Sequence, residues 1–84
     1  MIEQTTSERL GHLIAEDKLI SLFGIEVEEA AEGHARVSAV VTDQFLQVHG
    51  LAHGGFMFTL LDVAFALAVN AKVDAVAVAK RFEI

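Results

Sequence analysis

The run HGGFMFTLLDVAFALAVN, residues 53 to 70, constrains this chain more than any other stretch. Phe56 to Val69 is apolar at nearly every position and holds a single acid, Asp62. No two-residue alternation runs through it, and a helix that is apolar nearly all the way round has to be covered by protein on several sides. As a helix, Phe56 to Val69 reaches about 21 Å at the usual rise, short of the roughly 30 Å of a bilayer core. A carboxylate near the bilayer centre would add a penalty of about 3 kcal/mol. The stretch therefore reads as the central helix of a protein that does not enter a membrane, with Asp62 expected among the buried side chains.

The remaining residues must supply the cover. Leu10, Leu13, Ile14, Leu19, Ile20 and Phe23 recur at mostly three- and four-residue steps, with Thr6 or Ser7 before them and Gly24 after. That spacing predicts an amphipathic helix over residues 7–22. Gly11 lowers its intrinsic stability by about 1 kcal/mol relative to Ala, so the helix is expected to be peripheral, held by docking. From Ile25 the period falls to two: Ile25 and Val27 alternate with Glu26 and Glu28, AAEGHA makes a turn, and Ala35, Val37, Ala39 and Val41 resume the alternation. This predicts a hairpin with one face in water. DQFLQVHGLA, residues 43–52, has no clean period and carries Gly50, so it is a loop leading to Gly54 and Gly55. Beyond Asn70, the residues Val76, Val78, Lys80, Phe82 and Ile84 predict another strand. The class is α+β in one domain, residues 1–84.

A chain of 84 residues buries only about 60% of the surface its unfolded form exposes, so help from a second copy is expected. The net charge is −6, with eight of the twelve acids in the first 32 residues, which excludes a phosphate-tracking nucleic-acid binder. There is no cysteine, hence no disulfide framework and no thiolate zinc site. No basic segment precedes an apolar one near the N-terminus, and a cytoplasmic location is the expectation.

Two features carry the chemistry. Gly54 and Gly55 open the central helix, where the first backbone N–H groups lack internal partners and face the positive end of the dipole. Without a Cβ in the way a carbonyl oxygen can approach, which makes the pair a candidate oxyanion hole. Asp62 is the second feature. It lies eight residues beyond Gly54, about 12 Å along the helix, so one substrate carbonyl cannot touch both in a single chain. If two copies of the helix run antiparallel across a twofold axis, Gly54 of one comes beside Asp62 of the other. The acid then belongs to a site shared at a dimer interface. His49 and His53 are four residues apart, but Gly50 between them breaks a helix and no third ligand is placed; no metal and no cofactor are expected. His53 fixes the loop or lines the pocket, whereas His12 and His34 read as solvated. Phe56, Phe58 and Phe65 are core residues or the lining of an acyl pocket.

Residues 22 to 84 resemble the first half of a hotdog-fold thioesterase of the phenylacetic-acid-degradation, or PaaI-type, group. The match rests on HGLAHGGFMFTLLDVAFALAVN, which carries the pattern H-G-G-x-x-x-x-L-x-D at His53, Gly54, Gly55, Leu60 and Asp62, followed by A-F-A-x-A-x-N. The resemblance implies an antiparallel sheet wrapped around a long central helix, subunits paired through their sheets, and pairs of dimers forming a tetramer. It implies hydrolysis of acyl-CoA thioesters, arylacetyl groups among them. Asp62 would be nucleophile or general base, the Gly54 N–H would polarise the thioester carbonyl, and His53 and Gly55 would line the substrate. Gln47 stands where the group usually has an asparagine, six residues before the histidine, and is a candidate substrate contact. The group's domain also continues with three more strands beyond KRFEI, so the domain is expected to be incomplete at its C-terminal end. A hotdog hydratase or dehydratase, and a non-catalytic module that binds acyl-CoA or only dimerises, are the competing readings.

Overall fold

Asp17 divides the first helical stretch in two. The computed structural model describes residues 6–71, 77–81 and 83, and in it α1 spans Thr6–Glu16 and α2 spans Lys18–Phe23. Asp17 takes an extended backbone (φ −77°, ψ 109°) and its carboxylate accepts from the N–H groups of Leu19 at 3.0 Å and Ile20 at 3.4 Å. Those donors open α2 and would otherwise be unpaired. The three- and four-residue apolar rhythm continues across the break, which is why a single helix over 7–22 is expected from the spacing alone. Gly24, at φ 64°, ends α2: its N–H reaches Ser21 O at 3.3 Å and that of Ile25 reaches Ile20 O at 2.9 Å. This left-handed turn satisfies two terminal carbonyls.

The hairpin follows as the alternation predicts, with β1 at Glu26–Ala31 and β2 at His34–Ser38, antiparallel. Val27 pairs with Val37 and Glu29 with Arg36, so Glu28 is an extra residue that bulges β1. The bulge keeps both Glu28 and Glu29 in water while Val27 and Ala30 turn inward. On the outer face Arg36 lies 3.4 Å from Glu28 and 3.1 Å from Glu29, and His34 lies 3.0 Å from Glu29. At the tip, Gly33 (φ 83°) donates its N–H to Ala68 O at 2.9 Å. The hairpin turn thereby caps one of the carbonyls left over at the end of the long helix.

That helix, α3, spans Gly54–Val69. It is reached through a 3-10 turn at Asp43–Phe45 and a closed loop in which Leu46 bridges Ala52 and His53 N–H donates to Phe45 O at 2.9 Å. Phe56 stacks on Phe23 at 5.6 Å between ring centres and packs on Phe45 at 4.6 Å. Further along, Val63, Leu67 and Ala71 are buried with Leu10, Ile20 and Ile25 in one core cluster. Leu10 and Ile20 are 7% and 8% exposed, so the helical N-terminal stretch, expected to be peripheral, contributes side chains to the core. The reason is that a two-stranded sheet cannot cover α3 alone.

Two further expectations need correction. The central helix is covered along one face, not on several sides: Met57, Leu61, Phe65 and Val69 stay 58%, 53%, 41% and 38% exposed. The strand expected from Val76 to Ile84 does not form over residues 77–81, where no neighbouring strand among the described residues offers a ladder. Val76, Phe82 and Ile84 lie outside the described residues.

Candidate functional site

The helix N-terminus that the glycines create is open. Phe56 and Met57 spend their N–H groups on His53 O, at 3.1 and 3.3 Å, and the side chain of the N-cap residue His53 makes no capping hydrogen bond. The N–H groups of Gly54 and Gly55 therefore remain the terminal donors, at exposed positions. Among the described residues a Cβ built at either glycine meets nothing within 4 Å, so their packing does not demand glycine there. Beside this terminus Gly54, Met57, Phe58 and Leu61 line a wholly apolar hollow of about 110 Å³.

Asp62 is exposed, not buried as its apolar neighbours suggest. Its position around the helix explains this. One step along, Val63 points into the core, whereas Asp62 falls between the uncovered stripe of Leu61 and Phe65 and the side that faces α1. There it lines a cleft of about 430 Å³, with Ala66 and Asn70 on its own helix, Arg9, His12, Leu13 and Glu16 on α1, and residues 77–79 closing the end. Thr59, three residues before the acid, sends its hydroxyl back to Gly55 O at 2.9 Å. The structure thus puts Asp62 and Gly54 in separate hollows, as the 12 Å or so of intervening helix requires.

The other expected site residues divide. His53 sits at the N-cap and is exposed, without a capping bond from its side chain. Gln47 is half-buried, and its side-chain oxygen accepts from His49 N–H inside the loop. Its own N–H donates to Leu51 O at 2.7 Å, and Gly50, at φ 79°, donates to its carbonyl at 2.9 Å. The Gln47 carboxamide thus helps close the turn that presents His53. Of the three phenylalanines, Phe56 belongs to the aromatic core, Phe58 lines the small hollow and Phe65 is exposed. Among the described residues no three His, Asp or Glu side chains could hold a metal ion, and no helix is long and apolar enough to cross a membrane.

The sequence passes over Arg9, and it does not place His12 or Asn70 in a cleft. His12 is exposed, as expected of a surface residue, and positions 9, 12, 13 and 16 form one stripe at helical spacing that faces Asp62, Ala66 and Asn70 across the cleft. Asn70 is buried and makes three side-chain hydrogen bonds, with its Nδ2 donating to Ala66 O at 3.0 Å and Ala77 O at 2.7 Å, and its Oδ1 accepting from Ala77 N–H at 2.7 Å. Arg9 Nε donates to the Asn70 carbonyl at 3.2 Å.

No protein-family model matches the chain. The acyl-coenzyme A thioesterase PaaI of Escherichia coli is 42% identical over 56 residues, which is 67% of this chain and 40% of that one. A candidate esterase of Archaeoglobus fulgidus is 41% identical over 59 residues, 70% of this chain and 38% of its own. The chain thus spans about two fifths of the length of the curated relatives it matches. A solved structure of the E. coli PaaI protein from the phenylacetic acid degradation operon superimposes with a TM-score of 0.74 at 35% identity, covering 79% of this chain and 48% of that one. With its α+β arrangement, antiparallel hairpin and long helix shared with that structure, the chain is a homologue of the PaaI-type hotdog-fold thioesterases.

Proposed function

We propose that the protein hydrolyses acyl-CoA thioesters at a site shared by two copies of the chain. The observation that carries this reading is the placement of two complementary groups at the edges of the uncovered stripe of one helix. An uncapped Gly54–Gly55 terminus and the exposed Asp62 lie too far apart to serve one carbonyl within a chain, and the stripe of Met57, Leu61, Phe65 and Val69 runs between and beyond them. Antiparallel pairing of two such helices buries the stripes against each other and brings Gly54 of one copy to Asp62 of the other, twice, by symmetry.

In that arrangement the thioester oxygen accepts from the Gly54 N–H, whose partial positive charge stabilises the oxyanion as it forms. The Asp62 carboxylate either takes a proton from a water that attacks the carbonyl carbon, or attacks that carbon itself, with water then cleaving the resulting anhydride. The C–S bond breaks, CoA leaves as the thiolate and is protonated, and the free acid remains. Phenylacetyl-CoA and its ring-substituted relatives are the acyl class to try first, because the homologous E. coli protein comes from the phenylacetic acid degradation operon.

The test is release of free CoA from a panel of aryl- and alkyl-acyl-CoAs, read with a thiol reagent. Asp62→Asn keeps the volume of the side chain and should fold and associate as the parent does, with turnover lower by about 100-fold or more. Full turnover in this variant sinks the catalytic role of Asp62. No CoA release from any thioester by the parent leaves a binding or dimerising module. Oxygen-18 from labelled water appearing in Asp62 after single turnovers identifies direct attack.

A further inference from the structure

The cleft beside Asp62 has a far end that the hydrolysis step does not use. At that end Arg9 donates through Nε to the Asn70 carbonyl at 3.2 Å, and Asn70 is itself pinned by its three side-chain bonds to Ala66 and Ala77. Arg9 is half-buried, and its guanidinium is held at the C-terminal end of α3, where a positive charge is favoured. Because the group is planar, fixing Nε also fixes the plane from which the terminal nitrogens donate. His12 lines the cleft three residues further along α1. Asn70 lies eight residues past Asp62, so Arg9 stands about 12 Å along the groove from the carboxylate.

We propose that Arg9, with His12 beside it, binds the phosphates of a CoA thioester whose carbonyl lies at Asp62. This deepens the hydrolase reading and rests on it. The span takes a bent pantetheine arm, and the wall between, with Leu13 and Ala66 among its residues, suits the arm's methylene and methyl groups. A protein with a net charge of −6 repels an anionic ligand at long range, so binding one requires a local cation of this kind. Glu16 lies two turns from Arg9 on α1, which keeps the phosphates at the Arg9 end. The consequence is selectivity: the far end of the cleft distinguishes CoA thioesters from thioesters of short, uncharged thiols.

Equilibrium binding tests this independently of turnover. Free CoA and free pantetheine are titrated calorimetrically into the parent, Arg9→Gln and Arg9→Lys. The parent should bind CoA the more tightly. Arg9→Gln should weaken CoA by about tenfold, the scale of a charged hydrogen bond, and change pantetheine by less than about twofold. Arg9→Lys should retain part of the difference. Equal weakening of both ligands makes Arg9 only a brace for Asn70 and overturns the proposal, as does an unchanged CoA affinity in Arg9→Gln. A parent that prefers pantetheine, or binds the two alike, overturns it as well. CoA bound through Arg9 without thioester cleavage supports the anchor and removes the hydrolase reading instead.

Discussion

The two long sides of α3 are made of the same kinds of residue and meet different fates. Phe56, Val63 and Leu67 are 3–4% exposed, packed against the hairpin and the N-terminal helices, while Met57, Leu61, Phe65 and Val69 are 38–58% exposed. Apolarity thus does not separate covered from uncovered positions on this helix; the available partners do. A two-stranded sheet and two short helices shield one side, and a contiguous apolar stripe left in water is the signature of a face that meets more protein. The open groups of the proposed site flank the uncovered stripe: the Gly54–Gly55 terminus lies at its start, and Asp62 at its edge toward α1.

Core truncation should break the comparison most severely. Leu67→Ala is expected to cost about 2–5 kcal/mol in urea unfolding, because it empties a packed position. Next comes Leu61→Asp on the opposite side. It should leave the stability of the single chain within about 0.5 kcal/mol and weaken self-association by about tenfold or more, measured by sedimentation across a concentration series. If Leu61→Asp destabilises the chain as much as Leu67→Ala does, the two sides are equivalent and the stripe is core.

The contrast also shows why only part of the molecule was legible in its residues. Periodicity reports that a position wants cover, and so the hairpin alternation around Val27 and Val37 and the long apolar helix are readable. It does not report whether the cover comes from the same chain, and Asp62 was accordingly expected to be buried. The bulge at Glu28 is hidden because Glu28 and Glu29 are both acceptable in water. Asp17 does carry a local signal, since an aspartate is a preferred helix N-cap, but the apolar rhythm across it is the louder pattern. In the site, the H-G-G motif and its acid are a local sequence signal. Arg9 and His12 are not, because the α3 residues that share the cleft with them lie fifty or more positions away.

Smaller effects sharpen the same picture at the edges of the covered side. Asp17→Ala removes the acceptor of the Leu19 and Ile20 N–H groups and should cost about 1 kcal/mol, detectable in thermal unfolding. Smallest is the outer face of the hairpin. The hydrogen bond from His34, with the Arg36 charge beside it, holds the Glu29 carboxyl below its ordinary value of 4.5. A carboxyl whose folded value is depressed contributes stability that is present above the unfolded value and is lost as pH falls through the folded one. Acid unfolding below about pH 4.5 should therefore be slightly less steep in Glu29→Gln than in the parent, by an amount limited because these groups are exposed.

The shared site is tested most directly by mixing two dead variants. Asp62→Asn removes the carboxylate, and Gly54→Val blocks approach to the helix terminus; among the described residues nothing lies within 4 Å of a Cβ at Gly54, so its folding should survive. Unfolded together and refolded at equal concentrations, the two chains form mixed dimers in about half of the random pairings, each with one site that unites an intact Asp62 and an intact Gly54. CoA release should recover to about a quarter of the parental rate, although each variant alone is inactive. A mixture no more active than its components, with mixed dimers demonstrated by native mass, contradicts a site built from two copies of this helix.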